Sequence, residues 1–242
     1  MILLRRAIKG LAGILMLLAI GFALYAFLRN RPQDVPWTPL DLGQHTGLFT
    51  GRKLAALDTD FAECRALLDK AGVRYSALSP AGKGGCSYAD GVRLHPGGPD
   101  AIALSPSEAR MSCPVAAGLL MWQWNVLQPA AQRYFGSPVG RMLHYGTYSC
   151  RRLYGRATGP WSKHATADAI DVAGFVLKDG TRITVTGDWG GKGVKAQFLH
   201  TVRDGACGLF STVLSPDYNR AHHDHLHLDQ ARRGAFGGRV CR

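Results

Sequence analysis

The chain is 242 residues long, 46% of its residues are hydrophobic, and its formal net charge at pH 7 is +12. Once an N-terminal membrane segment is set aside, about 190 residues remain, enough for one ordinary globular domain with a proper core. No internal repeat or low-complexity tract is present, which excludes a repeat array. The charge favours an anionic neighbourhood, such as phospholipid headgroups, nucleic acid or an acidic wall polymer, although it also serves solubility.

An unbroken apolar run occupies residues 10–28. A helix of this length, at about 1.5 Å per residue, spans roughly 28 Å, which is enough to cross a hydrocarbon core. Basic residues precede the run, so the N-terminus is expected in the cytoplasm and everything after Arg29 outside. A cleaved signal peptide is the alternative, but its apolar region is usually only about 7–15 residues long. We therefore expect residues 1–28 to be a cytoplasmic N-terminus and a single-pass transmembrane anchor.

All six cysteines lie beyond the apolar run and are well spread along the chain: Cys64, Cys86, Cys113, Cys150, Cys207 and Cys241. In an oxidising compartment this even number predicts up to three disulfides, and six cysteines permit about 15 pairings among which the sequence does not choose. The absence of a Cys-x-x-Cys spacing argues against a structural zinc knuckle and against a redox dithiol.

Residues 29–56 contain three prolines and no sustained hydrophobic period, which predicts a flexible linker. One domain is expected to follow over residues 57–242. Its first helix has Asp58 or Thr59 as the expected N-cap and Gly72 as its end.

A longer helix is predicted over residues 115–135, with Pro129 expected to kink or split it. Strand-like patterns then follow, with a short helix after them over residues 196–202. The predicted strands cover residues 141–145, 170–177 and 182–185. The expected class is α+β: a small antiparallel sheet that carries a zinc site, helices packed on one side, and an N-terminal transmembrane helix.

Two runs about fifty residues apart carry the residue types of a metal site, at 162–171 and at 222–229. The first supplies a His/Asp pair and the second a His-x-His, which together offer three zinc ligands and leave a fourth position open for water. Period-two geometry predicts that the alternate residues of the second run share one strand face, namely His223, His225, His227 and Asp229. The alternative is a solvated histidine-rich strand.

The pattern Ser162-x-His164-x-x-Ala167-x-Ala169-x-Asp171 resembles the Ser-x-His-x-x-Gly-x-Ala-x-Asp signature of a zinc peptidase group. That group includes lysostaphin, the D-Ala-D-Ala metallopeptidases and the hedgehog signalling domain. The resemblance implies zinc as cofactor, and it implies a set of roles. His164, Asp171 and His227 would be the metal ligands, and His225 would be the catalytic histidine.

Residues from about 64 to 241 also resemble the bacterial extensin-like C-terminal domain family, through the runs at 112–114, 146–151, 162–175, 188–189 and 222–229. Together the two resemblances imply a zinc peptidase that is anchored in the bacterial inner membrane and has its C-terminal domain in the periplasm. Its partners would be peptidoglycan and the inner membrane, with no nucleic acid, and its oligomeric state stays open. Its substrates would be peptidoglycan cross-links or stem peptides, and the bond type (D,D or L,D, endo- or carboxypeptidase) also stays open.

Further polar residues have weaker support. Arg151 lies near the position at which related peptidases carry an arginine for a substrate carboxylate, although a surface arginine beside a disulfide is the alternative. Asp168, His223 and Asp224 are candidates for supporting a ligand or the base through a hydrogen bond.

Other hydrolase mechanisms find no support, because the sequence lacks a His-Glu-x-x-His helix and a Gly-x-Ser-x-Gly turn. Two rival functions stay open. One is a non-catalytic, zinc-containing wall-binding module, and the other is a periplasmic metal-handling protein.

Overall fold

The structure is a computed structural model and describes residues 2–98, 102–234 and 238–242. The predicted N-terminal helix is present, and α1 covers Ile2–Arg29. Within Leu4–Arg29 an 18-residue window reaches a mean hydropathy of 2.5, and none of that window is buried in the fold. This helix is long and apolar enough to cross a membrane, and a signal sequence has the same properties.

Six further helices lie in the described residues beyond α1. They are α2 (Thr50–Ala56), α3 (Phe61–Lys70), α4 (Cys113–Trp122), α5 (Gln128–Phe135), α6 (Val185–Asp188) and α7 (Val194–Ala206). The N-cap of α3 is Asp60, whose side chain accepts a hydrogen bond from Glu63 N at 2.9 Å, and not the predicted Asp58 or Thr59. The reason is that Leu57–Thr59 already forms a separate 3-10 turn.

The long predicted helix is interrupted just before the proline that was expected to kink or split it, although its helical path continues. A π-helical turn over Gln123–Leu127 separates α4 from α5. Pro129 follows it in the first turn of α5, where the missing N–H of proline costs little. Gly136 then ends α5 with φ +65, the left-handed conformation that glycine adopts readily.

The strands form two sheets. They are β1 (Tyr75–Ala77), β2 (Gly91–Leu94), β3 (Ala103–Ser105), β4 (Met111–Ser112), β5 (Val139–Gly146), β6 (Ala169–Leu177), β7 (Arg182–Thr184), β8 (Thr212–Leu214), β9 (Leu226–Asp229) and β10 (Val240–Cys241). The larger sheet has the order β10-β8-β9-β6-β5-β3, with β7 also pairing with β6. Its inner pairs are antiparallel, but β10 with β8 and β3 with β5 are parallel, so the sheet is mixed and larger than predicted.

Strand β6 is the centre of the larger sheet and changes partner along its length. Its first half pairs with β9 and its second half with β7. The change falls at Gly174, where a Cβ would collide with the Ile183 carbonyl of β7. Ile170 and Phe175 lie on either side of this point and both are fully buried in the hydrophobic core, so the in–out alternation changes phase there. Asp171 precedes this change of phase and lies between the core residues Ile170 and Val172, so its side chain is on the face of β6 away from the core.

Helices α4 and α7 cover the core face of β6. Trp122 of α4 packs edge-on against Phe175, with ring centroids 5.9 Å apart, and its Nε1 donates a hydrogen bond to the Val202 carbonyl of α7. Phe198 of α7 contacts Phe175 in the same way at 5.5 Å. The opposite face of this part of the sheet is therefore free to carry polar groups.

The segment 29–56 differs from the flexible linker predicted for it. Leu40, Leu42 and Leu54 belong to the hydrophobic core, with exposed fractions of 7%, 2% and 0%. Helix α2 packs against α4. The physical reason is that the apolar residues of this segment are too irregularly spaced to show a period, although they are sufficient to pack once the domain has formed.

The six cysteines form three disulfides, as the even count predicted. The pairs are Cys64–Cys113, Cys86–Cys150 and Cys207–Cys241. The first joins α3 to α4, the second joins the 3-10 turn Gly84–Cys86 to the loop that carries Cys150, and the third ties the end of α7 to β10.

Candidate metal centre

Three of the predicted site residues converge on the polar face of β6. Asp171 lies on β6, and His227 is its cross-strand partner on β9. His164 reaches them from the 3-10 turn Lys163–Thr166, which immediately precedes β6. The structure therefore brings together the His/Asp pair of the first run and the last histidine of the second.

The turn that carries His164 explains the spacing of the first run. The Ser162 side chain caps the turn by accepting a hydrogen bond from His164 N at 3.3 Å, as expected for a residue that orders the turn. Ala167 closes the turn with φ +60. This left-handed conformation is the one that glycine favours and alanine adopts at some cost.

The three candidate ligand atoms form a compact triangle. His164 Nε2 lies 3.1 Å from Asp171 Oδ1 and 3.2 Å from His227 Nδ1, and the last two atoms are 2.9 Å apart. His164 and Asp171 are buried, with exposed fractions of 3% and 8%. Among the described residues, these three form the group of metal-binding side chains whose ligand atoms all lie within 4.8 Å of one another.

The chemistry of this donor set fits a zinc ion. Two imidazole nitrogens and one carboxylate oxygen are common zinc ligands. A tetrahedral zinc with bonds of about 2.0–2.2 Å separates its ligand atoms by roughly 3.3–3.6 Å. The observed separations are a few tenths of an ångström shorter, so a small opening of the triangle suffices.

Each histidine of the triangle has a second partner that fixes its ring. The Thr147 carbonyl lies 2.7 Å from His164 Nδ1, and Asp229 Oδ2 lies 3.3 Å from His227 Nε2. When the imidazole is neutral and carries its proton on the outer nitrogen, the lone pair of the inner nitrogen faces the centre of the triangle, as binding a cation requires. Sequence reasoning did not assign either partner a role, and for Thr147 no signal exists because every residue offers a backbone carbonyl.

The charges of the cluster are strongly coupled. Burial opposes ionisation of Asp171, but hydrogen bonds from His164 and His227 outweigh it and hold the pKa of this carboxyl well below its usual range. Burial lowers the pKa of His227, but Asp171 and Asp229 together raise it to about 9. The two carboxylates therefore give the cluster a strong preference for a bound positive charge.

His225 lies beside the triangle. Its Nε2 is 3.4 Å from Asp171 Oδ1, and its Nδ1 is 2.8 Å from Asp224 Oδ1. Asp224 thus supports His225 and does not contact a ligand of the triangle. The ring of His225 also meets Tyr145 edge-on, with centroids 6.0 Å apart.

His222 is a further histidine that sequence reasoning did not single out. Its ring lies 5.2 Å from that of His225, between centroids. Burial, followed by the nearby His225 and His227, lowers the pKa of His222 to about 4. It therefore stays neutral at physiological pH.

Two predicted supporting residues lie elsewhere. His223 is exposed and its Nδ1 bonds to the Arg220 carbonyl at 2.9 Å. The predicted common strand face is wrong for His223 and His225, because β9 begins only at Leu226, after a 3-10 turn over Arg220–His222. Asp168 accepts a hydrogen bond from Thr166 Oγ1 at 2.7 Å, pairs with Lys163 at 3.9 Å, and is not part of the triangle.

The triangle opens into a cleft of about 500 Å³. Exposed apolar and aromatic side chains stand around it, namely Leu153, Tyr154, Trp161 and Tyr218. Arg151 also lines the cleft, and no carboxylate among the described residues lies within ion-pair distance of it. The cleft is lined by further cations, Lys163, Arg232 and Arg233, and the Arg152 guanidinium stacks 4.2 Å above the ring of the lining residue Trp161.

Fold and site together define an α+β domain whose central sheet holds a His/Asp/His cluster at the floor of an open cleft. A family model described as "Extensin-like protein C-terminus" matches residues 62–242, which include the whole cluster and all six cysteines. The chain therefore belongs to the extensin-like C-terminal family, as its sequence motifs predicted. No curated protein and no solved structure matches the chain.

Proposed function

We propose that this protein is a membrane-anchored, zinc-dependent peptidase that acts on peptidoglycan cross-links or stem peptides in the bacterial periplasm. One observation carries the proposal: His225 Nε2 lies 3.4 Å from Asp171 Oδ1, beside a triangle of three zinc-type ligand atoms. The resemblance of the first run to the lysostaphin and D-Ala-D-Ala metallopeptidase signature implies that His164 and Asp171 are ligands, and the His-x-His of that group implies the roles of His227 and His225.

His164, Asp171 and His227 would hold the zinc ion. When bound, zinc acts as a Lewis acid on the scissile carbonyl and lowers the pKa of water to about 7. The Thr147 carbonyl and Asp229 keep the two histidines in the orientation that binding requires.

His225 supplies general acid–base catalysis in this mechanism. Its Nδ1–H donates to Asp224, so the lone pair lies on Nε2, the nitrogen nearer the triangle. Nε2 accepts the proton of the attacking water and then passes a proton to the leaving amine. Asp224 is the positioning residue, since it fixes the tautomer and stabilises the imidazolium that forms.

The rim of the cleft favours an anionic substrate. The planar guanidinium of Arg151 is suited to bind a substrate carboxylate through two parallel hydrogen bonds. Peptidoglycan stem peptides carry such carboxylates, and the surrounding aromatic rings provide apolar contact surface. The +12 net charge of the chain attracts the same polymer.

The chain also carries the features expected of an exported protein. The apolar run of α1 follows Arg5, Arg6 and Lys9 in the first turns of the same helix, which favours an uncleaved anchor with the domain outside. Three disulfides require an oxidising compartment, which the periplasm provides.

The test compares His225→Ala with His223→Ala in the full-length, zinc-loaded protein acting on purified sacculi. His223 is a matched control because it is a neighbouring histidine that is exposed and outside the triangle. We expect His225→Ala to retain bound zinc and lose at least about 100-fold in turnover, while His223→Ala keeps both. Equal turnover in the two variants contradicts the proposal.

A second candidate is a non-catalytic wall-binding module, and the exposed aromatic and arginine rim of the cleft favours it. Such a protein binds sacculi equally well with and without the His225 imidazole and releases no fragments. Sedimentation of wild type and His225→Ala with sacculi, followed by analysis of fragments in the supernatant, separates the two candidates: only the peptidase releases fragments, and only with His225 present.

A further inference from the structure

We propose that Trp37 and Leu48 form a membrane-facing collar that lies in the lipid headgroup region beside the outer end of α1. The proposal rests on the retention of α1 as the anchor proposed above. Trp37 is 81% exposed and Leu48 is 77% exposed. These are the two highest exposures among the large hydrophobic side chains described outside α1. Side chains of this kind in contact with water usually mark an interaction surface.

Both residues lie at the base of α1. Backbone hydrogen bonds from Asn30 and Arg31 continue the helical path into the turn Pro32–Asp34. Leu48 N donates to Asp34 Oδ1 at 2.8 Å, which places Leu48 directly on this turn. Trp37 follows Asp34 by three residues, a distance of at most about 10 Å.

The collar is fixed to the domain and is not a loose tether. Phe49 N donates a hydrogen bond to the Gln33 carbonyl at 3.0 Å, so the segment that carries Leu48 is bonded to the turn Pro32–Asp34. Lys53 Nζ donates to the Pro32 carbonyl at 2.9 Å and to Thr38 Oγ1 at 2.8 Å, which ties α2 to the segment that carries Trp37.

The residues next to Trp37 and Leu48 in the sequence are buried, which also shows that the collar is fixed to the domain. Val35 and Leu40 flank Trp37 in sequence and are buried, with exposed fractions of 4% and 7%. Thr50, two residues after Leu48, is completely buried. Each exposed side chain therefore sits on a packed base, and the orientation of the collar determines the orientation of the domain.

The chemistry of the collar fits a lipid surface better than a protein partner. Tryptophan is enriched at the membrane–water interface because its ring is apolar and its N–H is polar. Arg29 and Arg31 are exposed beside it, and cations here favour anionic headgroups. The Arg31 guanidinium lies 4.8 Å above the Phe27 ring, the last aromatic ring of α1. A span that leaves the membrane near Arg29 necessarily brings the adjoining turn to the headgroups.

The test uses the full-length protein in nanodiscs whose lipids carry bromine near the headgroup end of the acyl chains. Bromine quenches tryptophan emission only at short range. We expect the wild type to lose emission relative to nanodiscs of ordinary lipid, and Trp37→Phe to lose none. Trp161→Phe is the matched control, because it removes an exposed tryptophan at the cleft, and it should be quenched like the wild type.

Leu48→Asp provides a second variant, and we expect it to reduce the quenching of Trp37 because a carboxylate is repelled from the interface. Equal quenching of wild type and Trp37→Phe would overturn the collar. An intact mass that shows cleavage before Asn30 would also overturn it, by removing the anchor. Neither readout depends on hydrolysis, so failure of the collar and failure of the peptidase proposal are distinguishable.

Discussion

At the scale of single residues, His225 and His223 lie only two positions apart in the sequence, and yet their surroundings differ completely. His225 lies between Asp224 and Asp171, whereas His223 is turned to solvent. The two runs predicted a His/Asp pair beside a His-x-His, and the resemblance to the zinc peptidase signature selected His164, Asp171 and His227 from them; these three residues do meet. The sequence did not indicate which of the other histidines would face the cluster, because their orientation depends on the 3-10 turn over Arg220–His222.

The first prediction concerns the support of His225. Asp224→Asn keeps the size of the side chain but removes the charge that stabilises an imidazolium and selects the tautomer. We expect turnover on sacculi to fall by about 10²–10⁴-fold. Zinc content, measured by metal analysis of the same samples, should stay at the wild-type level. Unchanged turnover would mean that Asp224 does not position the base.

At the scale of elements, β9 positions His227 within the His/Asp/His cluster. The alternation of leucine and histidine predicted a strand over the whole second run, but only Leu226–Asp229 is extended. Asn219 caps the preceding turn by accepting a hydrogen bond from Ala221 N at 3.0 Å, and this local contact overrides the period-two pattern. What remains of the pattern places His227 and Asp229 on one face, side by side.

A second prediction follows for Asp229, which orients His227 from that face. Asp229→Asn removes the charge behind the His227 ring and should weaken zinc affinity by about 10–100-fold. Competition with a chromophoric chelator measures this change. Wild-type affinity in the variant would show that Asp229 has no part in holding the ligand.

Strands and helices with a clear period or a turn signal beside them were predictable from sequence, whereas short strands without either were not. The helices of the core and strands β5, β6 and β7 follow the predicted ranges within a few residues. Strands β8 and β10 are two or three residues long and have no pattern of their own. Their pairing depends on contacts between distant parts of the chain, which a periodicity argument does not contain.

At the scale of the whole molecule, the domain begins earlier than the sequence indicated. The leucines of the segment 29–56 complete the core that α4 forms. We predict that a chain starting at residue 57 is much less stable than one starting at residue 30, because Leu40, Leu42 and Leu54 each contribute about 1.5–3 kcal/mol through burial. The midpoint of thermal unfolding should fall by at least about 10 °C. Equal midpoints would show that this segment is a linker after all.

The pH dependence of stability also belongs to the whole molecule, because it involves a carboxyl cluster that joins three segments. Burial, followed by the charges of Asp168 and Asp58, raises the pKa of Asp90 to about 6. The folded state therefore favours the protonated acid. The resulting stabilisation is complete below the unfolded pKa of about 3.9 and is lost as the pH rises through about 6.

Asp90→Asn tests this dependence. Because Asp90 is only partly buried, we expect the substitution to increase the free energy of unfolding by about 1–2 kcal/mol at pH 8 and to leave it nearly unchanged at pH 4. Urea unfolding at both pH values measures the difference. The same change at both pH values would contradict the assigned pKa.

The measurement that tests the central claim most directly is the digestion of purified sacculi by the full-length protein, followed by mass spectrometry of the released fragments. We predict new muropeptides that appear with one zinc per chain and disappear with chelator and in His227→Ala, and their masses identify the bond. One zinc per chain with no new fragment would contradict the peptidase and leave the wall-binding module as the better account.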